Sequence, residues 1–554
     1  MRAGTCEGAL LRQLAETPLA DRLELAAFSG WSHGAAYAAA GRLEGAGLAA
    51  SLPHASELIP PTRRFLLTDA GLRRLASGEG VSVEELLRTR PVSRHWRRLL
   101  LERLDGLAVI YRLATALASG GQPLWVRWYR AAPLDAAVAV PRGRVVGVVR
   151  QGLASDRTGF SRRLRRLFEG PLPGVLLLLL PDELRLRHAR RLVGGAPLPA
   201  FLALEREVVL AGADDRIWRL PSLPGRITLA EAVRLGAQRG VAPVETRPVR
   251  AVLPGGSIPE HLLAPSLLKP AEKRALDLLL DWPWLALDDL AGLLAVSRAR
   301  ASRLVLRLET LELTARVPVA GRRRLVLTDR GLALIAHCDR ASAGALRNRW
   351  SAAPLEPEEP PSWRNVRGSR SRQLLRHLTH TAAVHGFVAA LVRQARTCGW
   401  EVAQIDPPHR ASRYFRQGEG LHSVRPDAFG LLRRGGSPCP FFLEWERRAV
   451  RPRTMADRLA PYLRYYATSR PIDDHGVRPE VLVVLHDDLA ASHFLRVART
   501  QMERTGVQVP LCVSYEAVLE EEGPLGRAWR TTGEGAFATP LAGAPFIADE
   551  GAKP

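Results

Sequence analysis

Two hydrophobic patterns alternate along the chain, and their order repeats. Residues 1–90 carry apolar positions at helical spacing, then two short alternating segments around a turn, then another helical stretch, and residues 246–350 do the same. In the second of these the spacing predicts helices over 275–280 and 286–294 and a turn at Ala295-Val-Ser297. A third helix follows, capped by Ser297, with Leu304, Leu306 and Leu308 on its buried side. Helices followed by a β hairpin and a further helix give the element order of a winged helix-turn-helix. Phe65-Leu-Leu-Thr-Asp-Ala-Gly-Leu72 closes the first stretch and Leu325-Val-Leu-Thr-Asp-Arg-Gly-Leu332 the second, each after a run of arginines.

A different pattern fills 91–245 and 371–531. Pro173-Gly-Val-Leu-Leu-Leu-Leu-Leu-Pro-Asp-Glu-Leu184 and Pro479-Glu-Val-Leu-Val-Val-Leu-His-Asp-Asp-Leu489 are apolar runs closed by acids. Each predicts a strand buried on both faces that runs into a turn and a helix. Ahead of them, Pro133-Leu-Asp135 matches Pro426-Asp427, and Val145 to Arg150 matches Phe441 to Glu446. The expected fold class is a mixed α/β and α+β multidomain chain, two diverged copies of a winged helix followed by an α/β domain. The Pro/Glu-rich stretch within 351–370 is expected to be a linker, and 532–554 a flexible tail. In the second α/β domain the pattern predicts one amphipathic helix over 371–392 and a strand over 401–405. An Arg/Gly-rich loop over 409–424, hairpin strands over 425–432 and 441–446, and a helix over 454–466 should follow.

Charge changes the picture. A formal net charge of +23 sets up a field that draws polyanions, so double-stranded DNA is the leading partner. Lysine occurs only at Lys269, Lys273 and Lys553, so a position that carries lysine in relatives can carry arginine here. The five cysteines are odd in number and include no CxxC pair, which argues against a zinc site or a disulfide framework and fits a reducing cytoplasm. The longest apolar run is far shorter than a membrane span, and no basic region followed by an apolar stretch opens the chain. A cytoplasmic protein without membrane contact is the expectation.

The positive charge also has a place. The third helix of the second winged segment carries Arg298, Arg300, Arg303 and Arg307, of which the last three share one face. Arg322, Arg323 and Arg324 stand where a wing strand would meet the DNA backbone. These seven are the expected DNA contacts, the helix entering the major groove. The corresponding helix of the first copy, Ser32 to Leu43, is almost free of charge, which predicts a structural or dimerising role and a homodimer.

Candidate chemistry lies in the last domain. Glu444 and Glu446 share one strand face and Trp445 takes the other. At about 6.6 Å apart by strand rise, and at an effective dielectric of about 20, the two carboxylates repel by roughly 2.5 kcal/mol. A positive partner is required. A hard divalent ion such as Mg²⁺, with Asp427 as a further oxygen ligand, would serve, as would a salt bridge from Arg458 or Arg447. His380 is either a site acid or a half-buried helix residue, and Tyr462, Tyr465 and Tyr466 read as packing residues.

The order Pro-Asp, then a strand with Glu-x-Glu, then a helix with a cation resembles the core of the PD-(D/E)XK, restriction-endonuclease-like superfamily. More narrowly, His380-Thr, Arg425-Pro-Asp427-Ala, Phe442-Leu-Glu444-Trp-Glu446-Arg and Arg458-Leu-x-x-Tyr462 together resemble the plasmid replication-relaxation family. The resemblance covers about 374–489 and, more loosely, the second winged segment. It implies a DNA-binding protein of a plasmid or other mobile element, acting in replication or relaxation beside a replication or relaxation protein. It also implies a metal-dependent endonuclease site, with Asp427 and Glu444 holding Mg²⁺ and Asp427, Glu444, Glu446, Arg458 and His380 as the catalytic set.

Two features depart from the nuclease pattern. Its usual lysine is Glu446 here, and the cation on the next helix is Arg458, whose guanidinium does not deprotonate and makes a poor proton shuttle. The first copy keeps Asp135 but is expected to place Val148 and Arg150 at the Glu444 and Glu446 positions, with Arg162 matching Arg458. One carboxylate with two arginines suits phosphate binding. The alternative function is a non-enzymatic regulator or recruitment factor whose nuclease-like domains only bind DNA.

Overall fold

The computed structural model describes residues 6–118, 124–131, 133–140, 144–236, 240–244, 250–255, 258–356, 358–446, 451–532 and 538–541. It is a mixed α/β, multidomain chain with several sheets. Two compact units divide it, Met1–Arg274 with Arg330–Arg347, and Ala275–Asp329 with Asn348–Pro554.

In the first unit, helices Cys6–Glu16, Arg22–Ser29 and His33–Gly45 lead into antiparallel strands Ala49–His54 and Thr62–Leu67 and then helix Asp69–Glu79. Local chemistry starts the helices: Asp21, Ser32 and Thr68 are extended N-caps whose side chains accept backbone N–H groups three residues on. A seven-stranded sheet follows. Its order is Arg226–Ile227, Trp218–Arg219, Ala200–Leu204, Val175–Leu180, Arg144–Arg150, Ala136–Val140, Trp125–Trp128. Strands 144–150, 175–180 and 200–204 run parallel. Alternate residues feed opposite faces: Leu176, Leu178 and Leu180 pack with Phe160 and Leu164 of helix Arg157–Phe168, while Leu177 and Leu179 join the core containing Leu107 and Ile110 of helix Leu104–Leu117. The expected strand within 173–184 is thus buried on both faces.

The second unit also sets helices ahead of a hairpin and a sheet. Helices Leu287–Leu294 and Arg298–Thr310 precede antiparallel strands Thr314–Val319 and Arg322–Leu327. Small details coincide with the first unit. Leu19 and Trp284 both adopt left-handed backbone, and each donates its N–H to the hairpin, to Phe65 and Leu325 respectively. Thr68 and Thr328 each donate a hydroxyl to the carbonyl of a left-handed turn residue, Gly47 and Glu312. A six-stranded sheet then runs Glu401–Asp406, Ala428–Arg434, Ser437–Glu446, Glu480–Leu485, Leu511–Tyr515, Arg530–Thr531, parallel from 437–446 through 511–515. Helices Pro452–Tyr466 and Asp488–Thr505 pack on one face, and Phe387 of helix Leu378–Thr397 meets Trp445 on the other.

Several expectations need correction. Leu306 is 58% exposed, and the buried side of helix Arg298–Thr310 is Ala301, Val305 and Leu308, the set that true helical spacing brings together. The helix expected over 371–392 is broken at His377 into Ser369–Arg376 and Leu378–Thr397. The expected loop over 409–424 contains an antiparallel hairpin, Arg413–Gln417 with Gly420–Val424. The stretch 351–370 is not a free linker: Val366 bridges Pro354 and is fully buried with Trp284, Ala352 and Leu375. Asp339 and Arg340 are bound within the first unit by Arg150 and Asp135. Arg447 and most of 532–554 lie outside the described residues.

Candidate functional site

The Asp427 region is built by register. Asp427 donates its N–H to the Leu443 carbonyl at 2.8 Å, and its Oδ2 accepts the Trp445 N–H at 2.8 Å, which pins the entry of one strand against its neighbour. Glu444 therefore lies on the sheet face covered by helix Pro452–Tyr466, where Tyr462 donates to Glu444 Oε1 at 2.6 Å. Arg458, one helical turn earlier on the same face, pairs with Glu446 at 2.9 Å while remaining 61% exposed. His380 Nε2 meets Asp427 Oδ1 at 2.9 Å from helix Leu378–Thr397. The fold thus gathers Asp427, Glu444, Glu446, Arg458 and His380, together with Tyr462, which sequence reasoning had set among the packing residues. The signal available was its i, i+4 spacing from Arg458.

The charges are unevenly held. Burial pushes the Glu444 carboxyl up to about 8, the Asp427 charge adds to this, and the Tyr462 hydrogen bond with the Arg458 charge opposes it only in part. Burial and Glu444 drive Tyr462 well above the ordinary phenol range, so its hydroxyl keeps the proton it donates to Glu444. Burial alone would lower His380, but the Asp427 hydrogen bond and charge outweigh it and raise the imidazole. Among the described residues no group of three or more His, Cys, Asp or Glu is placed to hold a metal ion.

A carboxyl that holds its proton more tightly folded than unfolded stabilises the fold below its unfolded value, and that contribution is lost as pH climbs through the folded value. With Glu444 shifted from 4.5 to about 8, its contribution should fade between those pH values. Without added divalent ions the melting temperature should fall by a few degrees across that window, and Glu444→Gln should flatten the fall. A pH series of thermal melts checks both.

The equivalent place in the first unit is closed by its own side chains. Asp135 donates its N–H to Val148 O at 2.9 Å and its Oδ2 accepts the Arg150 N–H at 2.6 Å, the same pair of bonds that Asp427 makes with Leu443 and Trp445. Val149, Arg150 and Gln151 therefore stand under Glu444, Trp445 and Glu446, one residue from the expected register. With a side-chain period of two, that slip reverses every face assignment. Arg163, not the exposed Arg162, reaches Asp135, at 2.6 Å, and Arg340 adds a second pair at 2.8 Å. Arg150 lies on the opposite face, paired to Glu205 at 2.8 Å and Asp339 at 2.9 Å. Of the two arginines expected to offer themselves to phosphate, Arg150 is engaged inside the unit and Arg162 is exposed on its surface.

On helix Arg298–Thr310 the expected set is exposed: Arg298, Arg300, Arg303 and Arg307 all face solvent, Arg298 making a 3.3 Å surface pair with Asp288. Arg322 and Arg323 are exposed at the hairpin tip, whereas Arg324 is buried, with the Asp289 charge acting on it. Its counterpart Arg64 is fully buried and pairs with Glu24 at 2.9 Å. In both units the third residue of the strand, an arginine, points inward, toward Glu24 of helix Arg22–Ser29 in the first and Asp289 of helix Leu287–Leu294 in the second. In the first unit the corresponding outer arginines are paired within it, Arg42 with Glu7 and Arg63 with Glu44.

No helix among the described residues is long and apolar enough to cross a membrane. Residues 288–481 match the family described as replication-relaxation, a stretch that runs from helix Leu287–Leu294 to strand Glu480–Leu485 and contains both the arginine helix and the Asp427 site. No curated protein and no solved structure matches the chain.

Proposed function

We propose that this is a DNA-binding protein of a plasmid or other mobile element that acts in its replication or relaxation. Duplex DNA is held by a winged helix whose recognition helix is Arg298–Thr310. The exposed arginine face of that helix, beside exposed Arg322 and Arg323 and inside the replication-relaxation match, carries the reading. The two units are read as diverged copies of a winged helix with a restriction-endonuclease-like domain, the shared hydrogen bonds of Asp135 and Asp427 being the main support.

The last domain is read as a nuclease-like site. Mg²⁺ commonly takes one or two carboxylates and fills its remaining positions with water and substrate phosphate. Asp427 and Glu444 fit that donor set, and the raised Glu444 carboxyl marks a place where positive charge is wanted. When bound, such an ion would polarise a phosphodiester and lower the pKa of water. The chain's own groups would do the rest: His380 holds a proton against Asp427, Tyr462 orients Glu444, and exposed Arg458 presents charge to a phosphate. Mg²⁺ or Mn²⁺ should raise the melting temperature and remove its pH dependence, since an ion bound only by the folded state stabilises it by mass action. Asp427→Asn should abolish that effect. Melts indifferent to both ions, with no metal-dependent DNA cleavage lost in Glu444→Gln, would end the enzymatic reading. The Arg458–Glu446 pair favours the second reading in that event, a nuclease fold that only binds DNA.

A further inference from the structure

The hairpin Arg413–Gln417 with Gly420–Val424 has two unlike faces. Its inner face is fixed: Phe415 is 2% exposed, Val424 is fully buried, and Arg413 stacks at 4.6 Å over Phe429 while its Nε approaches His475 at 3.4 Å. Its outer face is exposed. Tyr414 lies opposite Ser423 and Arg416 opposite Leu421, so these four side chains share one surface. Tyr414 is 51% and Leu421 72% exposed, and Arg425, just beyond the strand, donates to Ser423 Oγ at 3.2 Å. A rigidly seated ribbon that offers an aromatic ring and a leucine between exposed arginines has the chemistry of a platform for nucleobases. Phosphates meet the guanidinium groups, and an unpaired base has a free π-face for the tyrosine. Duplex bases are already stacked on one another and present no such face. Only Arg425 and Pro426 separate the ribbon from Asp427, so its end lies within about 11 Å of that carboxylate's backbone.

We infer that this ribbon binds DNA with unpaired bases, such as a single strand or the single-stranded tail of a duplex, and delivers it to the Asp427 site. The inference deepens the reading of the chain as a DNA-binding protein, and its test separates the two. Binding of the full-length protein to a blunt duplex, a tailed duplex and a single strand is measured by fluorescence anisotropy. Tyr414→Ala should weaken the tailed duplex and the single strand by about tenfold or more. Leu421→Ser should weaken them less, Tyr414→Phe should restore wild-type binding, and the blunt duplex should be unaffected throughout. Both side chains are exposed, so the melting temperature should not move. The inference is overturned if Tyr414→Ala binds the single strand as the wild type does, or if it loses blunt and tailed duplex equally. The Arg298→Ala, Arg300→Ala, Arg303→Ala triple variant, run in parallel, should lose the blunt duplex. If it does not, the recognition-helix reading fails while the ribbon result stands on its own.

Discussion

Replacing Arg298, Arg300 and Arg303 together by alanine should lower affinity for duplex DNA by about a hundredfold near 0.1 M salt, and should flatten the salt dependence by up to about three in log–log slope. All three side chains face solvent and the helix core is Ala301, Val305 and Leu308, so the loss should come without a change in melting temperature. Arg324→Ala should do the reverse. That side chain is buried near Asp289, so its removal should cost stability and leave intrinsic DNA contacts alone. The matching change in the first unit, Arg42→Ala with Arg63→Ala, removes arginines already paired to Glu7 and Glu44 and should leave affinity within about twofold. Equal losses from the two variants would remove the asymmetry between the units.

The largest stability effect should come from Arg150. It is enclosed between Glu205 and Asp339 and packs against Gly106, so alanine would leave two buried carboxylates without their partner. Breaking a buried ion pair in this way costs roughly 3–5 kcal/mol. Unfolding of the first unit should shift to markedly lower denaturant, and adding Glu205→Gln and Asp339→Asn to Arg150→Met should recover much of the loss, because the charges then leave together. Gly152 gives an independent handle. A Cβ there would fall about 2 Å from the Asp339 carboxylate, so Gly152→Ala should also destabilise by displacing it. If Arg150→Ala melts like the wild type, the cluster does not hold Asp339 in place.

How far each feature could be read in advance follows from the range of the forces that set it. The cap at Ser297, the helix after it and the buried run Val175–Leu180 were legible because a capping hydroxyl and a continuous apolar stretch act within a few residues. The break at His377 and the hairpin at 413–424 were not. Both depend on what the segment packs against, Trp350 receiving Ser371 in one case and Phe429 receiving Arg413 in the other. Likewise Leu306 and Leu308 look alike in a list of residues, and only the angle of the helix against its core exposes one and buries the other.

The sequence by itself determined the mixed α/β architecture, the cap and arginine spacing of helix Arg298–Thr310 and the residue types at the acidic site. Those follow from periodicity, caps and composition, which are properties of short stretches. The tertiary structure alone decided which side chains meet. It set Tyr462 on Glu444 and His380 on Asp427, turned Arg324 and Arg64 inward, and shifted the first-unit register by one so that Arg150 and Asp135 lie on opposite faces of their sheet. A strand presents its residues alternately, and nothing local fixes which of two registers a pair adopts. The ion pairs and backbone bonds of Asp135 and Asp427 make that choice, and their partners come from segments up to about two hundred residues away, where no sequence period can reach.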